Sequence, residues 1–190
     1  DVRFSGGGIT TPFTLGDMAP QEELRIWDAS TFSGANIGAQ INNALTAMPT
    51  TGGTLYIPAG SYSFSTTAVL NKPVMLECSG RNTTLLTYTG TGDAIRVNIN
   101  PTGVTSPPYM NGGIRGCTLI GNANANAVGI HHIDTIGTLY DDVVVRDFTG
   151  TNGAGWWFDN QALFSEQVSL RKLEVHLNIK GIRFTNNGGT

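Results

Sequence analysis

Hydrophobic residues come along this chain in short bursts divided by turn residues, and a single segment follows a helical rhythm instead. In NIGAQINNALTAM, residues 36–48, Ile37, Ile41, Leu45 and Met48 fall on one face behind an Asn36 cap, and Pro49 with Gly52-Gly53 ends the run. After it come TLYIPAG, YSF, VMLEC, TLLTY, AIRVNI, CTLIG, GIHHI, VVVRDF, GWWFD, LEVHL and GIRFT, each about the length of an ordinary strand or less. The pattern predicts an all-β chain with one helix near its start.

The bursts recur. Gly129-Ile130, Gly155-Trp156 and Gly181-Ile182 follow one another at intervals of 26 residues. Cys117 and Leu119 match Val143 and Val145 at 26, then Leu173 and Val175 at 30, with the longer TGTNGAG loop absorbing the difference. Ala94-Ile95 lies 35 before Gly129-Ile130, and NPTGVTSPPYMN between them reads as a surface insertion. A unit of this size already holds two or three strands and has no room for a long helix. Leucine-rich, ankyrin and other helix-containing repeats are excluded, which leaves a solenoid of strands, each turn lying parallel on the one before.

Stacking assigns the faces. Ile95, Ile130, Trp156 and Ile182 form one column and Val97, His132, Phe158 and Phe184 another, and both are almost wholly apolar and face the core. The column between them, Arg96, His131, Trp157 and Arg183, then faces water and covers about 14 Å of surface. Trp156 is predicted dry and Trp157 wet. With Asp159 on the same face, this strip of guanidinium, imidazole and indole groups is a candidate sugar-binding surface, the indole covering a pyranose ring while charged groups meet hydroxyls or carboxylates. The competing reading makes the strip a plain sheet exterior, or packs Trp157 under a loop or against another subunit. His132 is expected as a hydrogen-bonded core residue, and Asp134, Asn160 and Asn186 as a turn column bonding nearby backbone.

Composition trims the function classes. Charged residues make up 13% of the chain, there are 25 glycines, and the net charge of -3 comes without any run of Lys or Arg, so nucleic acid is not the expected partner. No apolar window is long enough for membrane insertion. The start, DVRFSGGG, has neither an initiating methionine nor a signal peptide, and the chain reads as a processed or excised piece. Cys78 and Cys117 lie in apolar runs and, with only two and no framework spacing, are expected as reduced core residues, a disulfide being the alternative. No stacked carboxylates or Cys/His clusters suggest a metal, and no cofactor is expected.

The run GGTLYIPAGSYSF, preceded by the amphipathic helix and by LRIWDAS, resembles the N-terminal start of the pectate-lyase-like superfamily, which includes polysaccharide lyases, polygalacturonase-like hydrolases and phage tailspikes. The resemblance implies a right-handed single-stranded parallel β-helix over residues 24–190 with an N-terminal capping α-helix, residues 1–23 being an extended linker. It implies a polysaccharide partner, an extracellular or virion-associated location and, for a tailspike, a homotrimer. Departures limit what it implies about activity. SGAN stands where the family has an acidic pair before the helix, the polygalacturonase motifs are missing, and Asp141-Asp142 sits at a turn.

Glycoside hydrolysis asks for two carboxyls about 5 to 9.5 Å apart, which in a stacked solenoid means one column on neighbouring or next-neighbouring turns. No outward column in the alignment holds two acids: Glu174 stacks on Val144 and Thr118, and Asp159 on Ile133 and Thr185. Catalytic residues therefore stay unassigned, and any active site is expected to be incomplete here. GIRFTNNGGT ends just after a core strand, so the natural chain is expected to continue or its open end to be covered. The leading expectation is recognition, with possible degradation, of a surface polysaccharide through Arg96, His131, Trp157, Asp159 and Arg183; the alternatives are a non-catalytic structural module and a secreted pectinolytic enzyme.

Overall fold

A computed structural model describes residues 26–99 and 109–186. Strand β1 (Ile26–Asp28) and a 3-10 turn (Ala29–Thr31) lead into helix α1 (Ile37–Ala47). Five coils of three strands follow. The first is β2 (Gly53–Ile57), β3 (Gly60–Phe64) and β4 (Ala68–Leu70), and the second β5 (Val74–Cys78), β6 (Thr84–Tyr88) and β7 (Asp93–Val97). The third is β8 (Tyr109–Arg115), β9 (Thr118–Ile120) and β10 (Val128–Ile133), and the fourth β11 (Ile136–Asp141), β12 (Val144–Arg146) and β13 (Ala154–Asn160). The fifth is β14 (Ser169–Arg171), β15 (Glu174–His176) and β16 (Ile182–Asn186).

Corresponding strands of successive coils pair in parallel to give three sheets: β1-β2-β5-β8-β11-β14, β3-β6-β9-β12-β15 and β4-β7-β10-β13-β16. The fold is a parallel β-solenoid. Its register is the one the repeats predict, with Ile95, Ile130, Trp156 and Ile182 directly paired and Leu119, Val145 and Val175 likewise. Period-two alternation explains the core: Leu55, Leu76, Ile114 and Tyr140 of the first sheet, Leu86, Leu119 and Val145 of the second, and Ile95, Ile130 and Trp156 of the third are all buried. On the last described coil the inward-column residues Ile182 and Phe184 are exposed. Helix α1 covers the other end, burying Ile37, Ile41, Ala44 and Leu45 behind its Asn36 cap, whose side chain accepts from the Ala39 amide.

Three expectations need correction. The stretch NPTGVTSPPYMN is not all insertion: Tyr109–Asn111 open β8, while residues 100–108 lie outside the described residues, as does the predicted linker 1–23. Strands β4, β8, β11 and β14 have no counterpart among the apolar bursts. Strand β8 was hidden by its glycines, which its place between β5 and β11 demands: a Cβ on Gly113, whose φ is +148°, would stand 1.7 Å from the Leu139 carbonyl oxygen, and one on Gly112 2.1 Å from that of Val74. Third, Cys78 and Cys117 are not reduced but joined in a disulfide. Cys78 ends β5, and Cys117 follows β8, the next strand of the same sheet, so the two reach adjacent coils at one corner with Cα atoms 5.2 Å apart.

Candidate functional site

The third sheet carries the predicted column. Val69, Arg96, His131, Trp157 and Arg183 pair in register across its five strands. Pairing at the strand spacing of about 4.8 Å brings flat side chains of adjacent coils face to face. The His131 ring lies parallel to the Trp157 indole, with centroids 4.0 Å apart and 3° between the planes, and the Arg183 guanidinium sits over the same indole, 4.2 Å from a ring centroid. Trp156 is wholly buried and Trp157 partly exposed, as alternation predicts.

Two residues of the strip are not wet. His131 and Asp159 belong to the outer face but are 5% and 2% exposed. The reason is a polar network that links four coils. His131 Nδ1 lies 3.0 Å from Asp93 Oδ2 and its Nε2 3.3 Å from Asp159 Oδ2. Arg96 Nε donates to the same Asp93 oxygen at 2.7 Å. Gln161 Nε2 donates to Asp159 Oδ2 at 2.8 Å, and the Thr185 hydroxyl donates to Asp159 Oδ1 while accepting from Trp157 Nε1 at 2.8 Å. Each ring nitrogen of His131 thus faces a carboxylate.

Burial by itself would raise the Asp93 carboxyl, but hydrogen bonding and charge from His131, then from Arg96, more than offset it and hold the group below the ordinary carboxylate range. Asp159 is likewise held low: burial opposes, and hydrogen bonds from Thr185, Gln161 and His131 win. On the inner side of the same strand His132 is fully buried, with Nδ1 2.8 Å from the Tyr140 hydroxyl and Nε2 3.1 Å from the Thr135 carbonyl oxygen. Burial lowers its pKa to about 4, so it is a neutral core residue at neutral pH. Asp134 accepts from the Gln161 and Ala162 amides at 2.9 and 3.0 Å, a turn-bracing role.

The stack changes what Trp157 offers. Its two faces are taken by His131 and Arg183, so the indole has no free face for a pyranose and presents an edge to solvent. Arg96 is the most open member, its side chain 45% exposed. Asp93, Gln161 and Thr185 were not singled out from the sequence. Alternation places Asp93 in the inner column with Val128 and Ala154, and only its position at the very start of β7 lets its carboxylate reach the outer face.

The expectation that no outward column holds two acids is also corrected. Glu77, Arg115, Asp141 and Arg171 pair in register on the first sheet, and Arg115 lies 3.9 Å from Glu77 and 3.7 Å from Asp141. The alignment missed this column because β8 and β11 were not recognised as strands. Both acids face one guanidinium, which makes the trio an ion-pair ladder. Asp93 and Asp159, two coils apart, are the acid pair on the third sheet, and neither suits a general acid: both are buried, and both are held in the ionised form. Among the described residues no cluster of His, Cys, Asp and Glu is arranged to hold a metal ion.

No protein-family model matches the chain, and no curated protein matches it. Among solved structures it is similar to ORF18 of Geobacillus virus E2, with 15% sequence identity and a TM-score of 0.57 over 85% of this chain. It spans 40% of the length of that protein. At this identity the likeness is one of fold alone.

Proposed function

We propose that this chain is the β-helix portion of a phage-type surface protein that recognises an extracellular polysaccharide along the outer column of the third sheet. The observation that carries the reading is the pre-organised row of Arg96, Trp157 and Arg183, locked from behind by the buried Asp93, His131 and Asp159 network. Side chains already held in place lose little entropy on binding, which favours recognition by a flat surface without a deep pocket. In this role Arg96, Trp157 and Arg183 touch the ligand, while His131 and Asp159 position them.

Three further points support the reading. The fold neighbour is a viral protein. The helix and GGTLYIPAGSYSF resemble the pectate-lyase-like superfamily, with its tailspikes and polysaccharide enzymes. The Cys78–Cys117 disulfide suits an oxidising, extracellular or virion-exposed setting. Recognition is favoured over cleavage because the acids nearest the row are ionised, buried and fully engaged. By the same resemblance the assembly is a homotrimer.

Hydrogen exchange of the chain with and without a panel of bacterial surface polysaccharides tests the assignment. Protection is expected at β7, β10, β13 and β16. Protection confined to the first or second sheet, or none with any polysaccharide, would sink it.

A further inference from the structure

The charge on the third sheet is one-sided. Its five strands contain two carboxylates, Asp93 and Asp159, both buried and both hydrogen-bonded within the network, and two arginines, Arg96 and Arg183, which reach toward solvent. The charge this face shows to a ligand is therefore positive, on a chain whose net charge is -3. Arg96 shares its Nε with Asp93; away from this sheet Arg115 lies between Glu77 and Asp141, and Arg81 reaches Glu174 at 2.6 Å and Asp142 at 3.6 Å. Among the described residues no carboxylate is paired with Arg183; the indole holds its guanidinium instead. A guanidinium fixed flat on a ring keeps its N–H edge for an acceptor in the ring plane, the geometry that suits a carboxylate or a phosphate. Arg96 is fixed in another way, through Nε on Asp93, which leaves its terminal nitrogens to project outward.

Spacing adds a second restriction. Arg96 and Arg183 stand three coils apart, about 14 Å along the solenoid axis and close to the length of a trisaccharide. Between them lie the edges of His131 and Trp157, with Asp93 and Asp159 behind. An anion over this middle section would meet no arginine of its own and would approach the Asp93 and Asp159 carboxylates, whereas hydroxyls would meet no such penalty. We infer that the ligand is a linear glycan with one acidic sugar in about every trisaccharide, lying along the solenoid axis with its acids on Arg96 and Arg183 and neutral sugars between. A polymer with an acid on every sugar fits less well.

This inference rests on the glycan-binding reading above, and one experiment separates the two. Calorimetric titration of the chain would use four polymers of matched length: neutral dextran, polygalacturonate with an acid on every sugar, hyaluronan with an acid on every second sugar, and a capsular polysaccharide with one uronic acid per trisaccharide repeat. The last is expected to bind most tightly, at least about tenfold above dextran, with affinity falling as salt rises. Arg183→Gln should remove most of that advantage and of the salt dependence, and Arg183→Lys, which keeps the charge but loses the planar fork, should fall between. Circular dichroism melts check that each variant folds. Equal binding of dextran would overturn the charge requirement while the glycan reading stood. Polygalacturonate or hyaluronan binding as tightly as the capsular polymer would overturn the spacing. No binding by any of the four, with Arg183→Gln folded and indistinguishable from the parent, would overturn the inference and count against the glycan reading as well.

Discussion

Adjacent histidines show how far one residue's neighbours decide its chemistry. His131 and His132 point to opposite faces of β10, one between two carboxylates, the other between a tyrosine hydroxyl and a backbone carbonyl. Because burial lowers the His132 pKa from 6.5 to about 4, the unfolded chain takes up its proton first as pH falls. The stability tied to neutral His132 is whole above pH 6.5 and is lost between there and pH 4, by about 3 kcal/mol in total. Asp93 and Asp159, with lowered values, add losses only below their unfolded value of 3.8. Urea unfolding from pH 7.5 to 4.5 should show this slope, and His132→Phe, which keeps a ring and deletes the titration, should flatten it. The inward placement of His132 was legible from alternation alone. The burial of His131 was not, because it depends on Asp93, 38 residues earlier, whose carboxylate escapes the alternation at the end of its strand.

Among the elements, α1 does more than cover apolar side chains. Strand β4 ends the third sheet and pairs on one side only, with β7. On its open side the Asn42 side chain of α1 stands in for a neighbouring strand, accepting from the Val69 amide and donating to the Thr67 carbonyl, both at 2.8 Å. An exposed sheet edge invites pairing with another chain, and a helix laid across it removes the hazard. Gly38 lets the helix come this close, since a Cβ there would stand 2.1 Å from the Thr66 carbonyl oxygen. Asn42→Ala leaves the Val69 amide and the Thr67 carbonyl without these partners and is expected to cost about 1 to 3 kcal/mol in chemical denaturation. No measurable loss would mean that water serves the edge equally well. The helix, its Asn36 cap and its apolar face are plain in the sequence. The duty of Asn42 is not, since an asparagine on the polar side of a helix reads the same whether it meets water or a strand.

Across the whole molecule the stacking of coils is held by parallel ladders, a continuous core and one covalent tie. The Cys78–Cys117 bond joins residues 39 apart in sequence, and on chain-entropy grounds its removal should lower unfolding free energy by about 4 kcal/mol. The double variant Cys78→Ser/Cys117→Ser, compared with the parent in guanidinium titrations, measures this. Identical midpoints would show that the bond contributes nothing to the native state. The sequence by itself determined the architecture: strand alternation repeats every two residues and the coil about every 26, so columns of like residues announce which side chains face in and which coils align. Tertiary structure alone decided what meets at strand ends and corners, where alternation lapses and loop length sets the partner. There Asp93 reaches His131, Cys78 reaches Cys117, and an outer face that local pattern marks as wet closes over two of its own residues, His131 and Asp159.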